Sequence, residues 1–578
     1  MTNAAHIRPG GTPLIFGIDL GTTNSLITWL KDGVPTPIPN VHGAVLTPSV
    51  VSVDADGSVL VGATARERLV THPKRSAASF KRLMGTEQKL TLGGVHYRPE
   101  DLSALVLRAL KADAEHATGE KVEEVIISVP AYFNDQQRKA TRLAGELAGL
   151  KVLRLVNEPT AAALFHGIHE RDADATFLII DLGGGTFDVS ILERFSGVME
   201  VRATGGDSFL GGDDFTEALL QLIARKAGVD DKTLADPAKL GALRFAAESA
   251  KRALASGTGC EVDLQGLGLG TLTLSHAEFE KACAPLLERL RAPIERALRD
   301  ARLRVADLDE IALVGGASRM PMVRRLVSQL FGRLPARHPD PDQTIALGVA
   351  VCAGLASRDA AFEEMVLTDV CPHTLGIRVR ESDGRGGHVG DVFLPIIERN
   401  TVVPASRVKT VQTVSDNQTT LAVNIFQGES RHCSQNIELG SVDVTIPPRK
   451  AGAVQVDVRY TYDVNGILDV DIAVPEHGLS QNVVIRKLAG DIGDAEIARR
   501  RAELAALKVH PRDQDQNRLV LERANRLYEQ LLGDEREQVG RWLGQFEAVL
   551  ARQDGREIGA ARKQFTTALD TLERGPTW

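Results

Sequence analysis

At roughly 150 residues per domain, 578 residues suggest three or four domains, each able to bury a core of its own. Hydrophobic residues make up 43% and charged residues 25%, which excludes a chain disordered throughout. A net charge of −8 argues for no nucleic-acid partner and no membrane-surface partner.

Residues 1–13 lack the apolar core of a signal peptide and read as a flexible N-terminus. From Leu14 to about Ser357 short β-branched runs alternate with amphipathic runs, the pattern of an α/β body. Strands are predicted at Ile15–Asp19, Val125–Val129, Leu178–Asp181 and Ile311–Val314, and helices at Ala104–Ala117, Asp135–Ala148, Phe215–Lys226 and Leu243–Ala255. The longest apolar stretch, Ile345–Ala356, is too short and too glycine-rich to span a bilayer. The segment 362–369 pairs acidic residues with an apolar run, so it reads as a linker that docks on a surface in some state, or else as an ordinary first strand. Residues 370–490 alternate with period two, as in Ala422–Ile425 and Gln455–Val458, with a turn signal at Val464–Ile467. That region reads as an antiparallel β-domain. From about Asp494 to Leu572 the pattern is helical again, with a break near His510 and Pro511. The cysteines at 260, 283, 352, 371 and 433 are scattered, as in a reduced, cytoplasmic protein.

Residues 17–23 (GIDLGTT) recur in altered form at 180–186 (IDLGGGT), with Asp19 and Asp181 lying 162 residues apart. A duplicated lobe with a cleft between the copies explains the echo. In each copy an Asp ends a strand and is followed by glycines and hydroxyls. Glycines let backbone N–H groups approach an anion, Thr hydroxyls add donors, and the Asp can hold Mg2+ directly or through water. Either loop alone reads equally well as a tight turn. The pair, with a third glycine turn at Val314–Arg319, favours polyphosphate binding. No GxxxxGK[ST] string is present and no GxGxxG, against a P-loop enzyme and a dinucleotide fold.

The strings GIDLGTTNS (17–25), VPAYFNDQQRKAT (129–141), LVNEPTAAAL (155–164), IDLGGGTFDVS (180–190), GGDDF (211–215) and LVGGASRMP (313–321) resemble the DnaK-type 70-kDa heat-shock chaperone family. So do NTVVP (400–404), SDNQTT (415–420), QGES (427–430) and DVNGILDV (463–470) in the β-domain. The shortened C-terminal segment resembles the HscC-like branch. The resemblance implies a duplicated actin-like ATPase domain (14–361), a linker (362–369), a β-sandwich peptide-binding domain (370–490) and a short helical lid (491–578). It implies ATP or ADP with Mg2+ as cofactor, and K+ as a further candidate. Thr22, Thr23 and Thr186, with Gly21 and Gly183, Gly184 and Gly185, would contact phosphates, and Asp19 and Asp181 would surround hydrated Mg2+. Lys81 would position the attacking water or γ-phosphate, and Glu158 or Asp188 would assist proton removal. Glu248, Lys251 and Arg252 share one helix face at i, i+3 and i+4; with Gly315, Gly316, Arg319 and Asp342 they would hold the adenosine. Without the resemblance they would read as a salt-bridge set, and Lys81 as a surface lysine.

The family's interdomain switch maps to Pro130 and Arg138, a J-domain cochaperone contact to Arg154, and the docking linker to Val366, Leu367 and Asp369. Thr368 departs from the leucine-rich linker of the family. The peptide groove maps to Ile377, Val379, Val411, Val414, Leu421 and Val423, positions that alternation alone reads equally as sandwich core. Arg380 stands where the family has an arch methionine, Val414 where it has a small alanine, and residues 380–389 read as a long charged loop. A peptide with acidic residues beside a short apolar core is therefore expected. The short hairpin 260–274 speaks against dependence on a GrpE-type exchange factor. The implied function is an ATP-dependent chaperone for unfolded or dedicated client polypeptides. A non-cycling holdase or exchange-factor relative, and a small-molecule phosphotransferase of the same fold, are the alternatives.

Overall fold

The computed structural model describes residues 14–167, 174–195, 198–336, 340–357, 366–382, 388–463, 466, 468–475, 479–484, 515–531 and 533–574. Residues 1–13, expected to be a flexible N-terminus, linker residues 362–365, most of the turn 464–467 and the break near His510 lie outside the described residues.

Two sheets of one plan build the body that runs to Pro372. In the first, β1 (Ile15–Asp19), β2 (Asn24–Lys31), β3 (Val34–Pro37), β4 (Glu124–Val129) and β5 (Lys151–Asn157) lie in the order β5-β4-β1-β2-β3. In the second, β6 (Ala175–Leu182), β7 (Phe187–Phe195), β8 (Val198–Asp207), β9 (Glu310–Val314) and β10 (Val366–Val370) lie in the order β9-β6-β7-β8-β10. β1 is parallel to β4 and antiparallel to β2. β6 repeats this with β9 and β7. The sequence echo is therefore a repeated sheet. Its central strands are nearly unbroken apolar runs because both faces are covered. Each lobe has its own core, one around Phe16, Ile18 and Ile127, the other around Leu178, Ile180 and Ile311.

Helices α1 (Pro99–Thr118), α2 (Asp135–Leu147), α3 (Glu158–Gly167), α4 (Gly212–Ala227), α5 (Pro237–Ser256), α6 (His276–Ala301) and α7 (Thr344–Ala356) flank these sheets. Asn134 and Gln137 form a reciprocal capping box that fixes the start of α2. Two helices change lobes. α3 leaves β5 of the first sheet and packs also on β6 and β7 of the second. α7 follows β9 of the second sheet but packs on β1 and β2 of the first. They cross where a Cβ on Gly348 would lie 1.8 Å from the Ala161 carbonyl oxygen. The apolar stretch 345–356 is thus an interior crossover helix, buried on every side for most of its length. Among the described residues no helix is long and apolar enough to cross a membrane.

The second body begins at His373. Strands β11 (Leu375–Ser382), β12 (His388–Ile397), β13 (Ala405–Gln412), β14 (Thr420–Gln427), β15 (Ile437–Thr445), β16 (Gln455–Tyr462), β17 (Leu468–Val474) and β18 (Leu479–Val484) form two antiparallel sheets, β12-β11-β14-β15 and β13-β16-β17-β18. The buried Tyr460 hydroxyl donates to the Gly376 carbonyl at 2.9 Å, tying one sheet to the other. Of the expected long loop 380–389, the described residues are strand: β11 runs on to Ser382 and β12 resumes at His388, with 383–387 outside the described residues. Here Val379 pairs Val392 and Glu381 pairs Val389, so Gly390 and Asp391 bulge opposite Arg380. Asp391 takes the positive φ of 67° that the bulge requires. Charged side chains are tolerated on these strand ends because Arg380 and Glu381 are exposed.

Helices α8 (Asp515–Gln530), α9 (Gly533–Arg552) and α10 (Gly555–Arg574) pack together around Ala524, Val539, Phe546, Leu550 and Leu569. The turn between α9 and α10 touches the sandwich. Gln553 Oε1 accepts from the Val408 N–H at 3.3 Å, and its Nε2 donates to the Val408 carbonyl at 3.2 Å. One side-chain amide thus takes the place of a neighbouring strand on the outer edge of β13. Gln553→Ala should speed hydrogen exchange at the Val408 amide roughly tenfold, the worth of about one hydrogen bond. Unchanged exchange, with helicity intact by circular dichroism, would remove the clamp.

Candidate functional site

The strand ends of the two lobes meet over a group of buried charges. Asp19 closes β1, Asp181 lies one residue from the end of β6, Asp188 lies on β7, and Glu158 opens α3. Lys81, in the 3₁₀ turn Phe80–Leu83, places Nζ 2.7 Å from Glu158 Oε1. None of the five is more than 7% exposed. The Ser128 hydroxyl donates to Asp19 Oδ1 at 2.6 Å, and the Tyr132 N–H to Asp188 Oδ1 at 3.0 Å.

Four carboxylates with one ammonium cannot all ionise in a dry site without a further cation. Burial, followed by the charge of Glu158, pushes Asp19 and Asp188 each up to about 7, against the pull of Lys81. Asp181 is raised further by burial and by the charges of Glu158, Asp188 and Asp19. Asp181 Oδ1 and Asp188 Oδ2 are buried and have no hydrogen-bond partner. Unpartnered carboxylate oxygens are the hard ligands that Mg2+ takes, together with water and phosphate oxygens. The residues therefore fit the ion.

The two glycine loops face each other closely. A Cβ on Gly184 would lie 1.8 Å from Thr23 Oγ1, and one on Gly185 would lie 2.7 Å from Thr22 Cγ2. Thr22 and Thr186 are buried and Thr23 is exposed. α4 starts against the second loop: Gly212 N donates to the Gly183 carbonyl (2.9 Å) and Asp213 N to the Gly184 carbonyl (2.8 Å). The opposite lobe reaches α4 through Ser79 Oγ on Asp213 Oδ2 (2.6 Å) and Arg82 Nη2 on Asp214 Oδ1 (3.2 Å). Gly21 could not carry a side chain, since its Cβ would meet the Asn24 carbonyl oxygen at 2.1 Å.

On α5, Glu248 gathers Lys251 Nζ (2.6 Å), Arg252 Nε (2.9 Å) and Thr216 Oγ1 (2.6 Å). Burial works against its charge, yet the Lys251 ammonium and these donors hold Glu248 below the usual carboxylate range. Lys251 also donates to the Gly212 carbonyl at 2.9 Å, joining this set to the start of α4. Arg319 Nη2 pairs Asp342 Oδ2 at 2.7 Å, and a Cβ on Gly316 would lie 2.7 Å from Asp342 Oδ1. Gly315 has a φ of 79°. The seven charged or glycine positions expected around adenosine thus fall into two clusters, one on α5 and one at the turn after β9.

Behind the carboxylates a chain of hydrogen bonds leads to β10, the strand that includes the expected linker residues 366–369. Arg138 Nη2 donates to the Ala131 carbonyl (3.1 Å), next to buried Pro130, and to Asn157 Oδ1 (2.6 Å). Asn157 Nδ2 then donates to both oxygens of Asp369 at 2.8 and 2.7 Å. Burial raises Asp369, and the Val370 N–H, Arg138, Arg154 and Asn157 oppose that rise. Arg154 stands at this end of the body, close enough to act electrostatically on Asp369 and Cys352. β10 runs parallel to β8 with Val366, Leu367 and Thr368 opposite Val198, Met199 and Glu200. The backbone of Val366 and Leu367 is thereby fixed; their side chains lie outside the described residues.

In the second body, β11 and β14 pair only from Leu375–Gln427 to Ile377–Ile425 and then part. Ile377 and Val423 are 2% and 3% exposed and belong to the core. Val379, Val411, Val414 and Leu421 are half-buried. Of six positions that the sequence could not divide between groove and core, four keep apolar surface exposed.

Ser128, Tyr132, Asn157, Asp213 and Ser79 were not singled out by sequence. Asn157 lies inside LVNEPT and Asp213 inside GGDDF, so the strings were read but not their hydrogen-bonding. Ser79, at a φ of 55°, carries no sequence signal beyond its place before FKRL.

A family model described as Hsp70 protein matches residues 15–572. The chain is 42% identical over 487 residues to the chaperone protein DnaK of Thermotoga neapolitana, covering 82% of this chain and 80% of that one. The same figures hold for the chaperone protein DnaK of Thermotoga maritima.

The raised carboxyls set a pH dependence. Asp19 and Asp188 titrate near 7 when folded and near 3.8 ordinarily, so between these values the folded chain holds more protons than the unfolded one. Stability of the ligand-free protein should therefore fall as pH rises from about 4 to 7, by an amount on the order of a few kcal/mol. Mg2+ with ADP should raise the melting temperature more at pH 7.5 than at pH 5.5, because below 7 it must displace protons. Asp19→Asn should flatten the ligand-free profile; an identical profile in that variant would show that the cluster does not titrate there.

Proposed function

The chain belongs to the Hsp70 family, and from that premise we infer that it is an ATP-dependent chaperone, an ATPase that binds and releases unfolded or client polypeptide. The observation that carries the reading is the face-to-face approach of the two glycine loops, Gly184 against Thr23, over buried carboxylates with unpartnered oxygens. A polyphosphate between those loops would meet hydroxyls of Thr22, Thr23 and Thr186 and the backbone of Gly21 and Gly183–Gly185.

Asp19 and Asp181 would hold Mg2+, mainly through water, and the ion when bound would neutralise charge on the phosphate oxygens. Lys81 points its ammonium into the same space and would stabilise charge developing on the transferring phosphoryl group. Glu158 holds that ammonium at 2.7 Å and so orients it. Asp188 keeps one oxygen on the Tyr132 N–H and the other unpartnered, with a pKa of about 7 suited to taking a proton from water at neutral pH. Glu158 and Asp188 share this role; neither is assigned alone. Glu248, Lys251, Arg252, Gly315, Gly316, Arg319 and Asp342 would frame the adenosine. The relay Arg138–Asn157–Asp369 would report the state of the site to the linker.

In the second body the parting of β11 from β14 leaves strand backbone and half-buried valines for an extended peptide. Arg380, opposite the bulge, would place a cation at the rim and favour acidic residues beside an apolar core. A J-domain cochaperone would engage near Arg154, and the short hairpin, residues 259–275, speaks against a GrpE-type exchange factor.

Lys81→Ala should lower the ATP hydrolysis rate about 100-fold or more, as loss of a group stabilising transition-state charge does; full turnover in the variant would overturn its role. Fluorescence anisotropy of a bound apolar peptide should fall faster after Mg-ATP is added, and on a peptide array acidic flanks should bind better than basic ones. ATP hydrolysis without faster release would detach the two bodies' functions and favour a holdase.

A further inference from the structure

The linker strand β10 is held at several points, and one side-chain atom between them is not paired. Its backbone pairs β8 from Val366 to Thr368, and Asp369 is held by both hydrogen bonds of Asn157 and by the Val370 N–H at 2.8 Å. Between these anchors the Thr368 hydroxyl oxygen is buried and has no hydrogen-bond partner. A hydroxyl that leaves water and finds no partner opposes the state that buries it. A valine of the same shape would carry no such penalty, which is why the two are not interchangeable in a dry contact.

We propose that Thr368 is the release element of the linker: its unpaired hydroxyl weakens docking selectively, so that the strand stays exchangeable although Asp369 and the β8 ladder hold it. In the free linker water satisfies the same hydroxyl, and the penalty vanishes. Asp369 then supplies attachment and register, and Thr368 sets how readily that attachment is given up. The two act on one equilibrium from adjacent residues. This inference rests on the reading of β10 as the switch strand between the bodies.

Hydrogen exchange read by mass spectrometry on residues 366–370 of the full chain tests it, with Mg-ADP and with Mg-ATP. Wild type should be less protected with ADP than with ATP. Thr368→Val should raise protection in the ADP state about fivefold or more, the effect of sparing one buried unpaired hydroxyl. Thr368→Ser, which keeps the hydroxyl, should not raise it. If Thr368→Val leaves protection unchanged or lowers it while wild type still differs between nucleotides, the hydroxyl is not a release element and the inference falls alone. If wild type shows no difference between nucleotides, the switch reading falls and takes the inference with it.

Discussion

The first body depends on one electrostatic constraint: four buried carboxylates share a site with a single ammonium. Without further positive charge, the site can stay dry only by keeping protons on Asp19, Asp181 and Asp188, which is what their raised pKa values express. The fold accepts that cost because the carboxylates come from both lobes, Asp19 from one sheet, Asp181 and Asp188 from the other, with Glu158 on a helix between them. On the proposed function, a cation bound with its phosphate would take the place of those protons. Ser79 on Asp213 and Arg82 on Asp214 join the same two lobes outside the cluster. A bound cation would thus balance the cluster and bridge carboxylates of both lobes at once.

Much of this was legible before any coordinates. Strand-ending aspartates followed by glycines recur because a parallel strand delivers its last residue to the sheet's C-terminal edge, where ligands collect. Ile15–Asp19 was read to the residue, and the helix expected at Asp135–Ala148 runs Asp135–Leu147. What the sequence hid was pairing. Asn157 and Asp369 are 212 residues apart, and nothing in either local string announces that one amide will hold both carboxylate oxygens. The apolar stretch after Ile345 was noticed only for being too short to span a bilayer. Its uniform hydrophobicity carries no period because the helix is covered all round, and a period is what local reading needs.

The β-sandwich shows the same boundary differently. Period-two alternation located its strands, yet Ile377 and Val423 went to the core while Val379 and Leu421 kept exposed surface. Which side an alternating strand turns inward, and where it leaves its neighbour, are properties of register with a distant strand. Residues 380–389 looked like a loop because charge and glycine dominate them. A bulge at Gly390 and Asp391 lets the charged strand ends at 380–382 and 388–389 stay paired in the sheet.

The crossing of α3 with α7 has a mechanical consequence. At Gly348 and Ala161 the helices meet backbone to backbone, with no room for even a methyl group on Gly348. Helices joined by interdigitated side chains favour a few crossing angles. This crossing is set by backbone contact instead, so it tolerates nothing larger than hydrogen at Gly348. Since α3 packs on both sheets and α7 joins the second lobe to the first, a side chain forced in at Gly348 would push on both lobes at once, through two small residues far along the chain from each other.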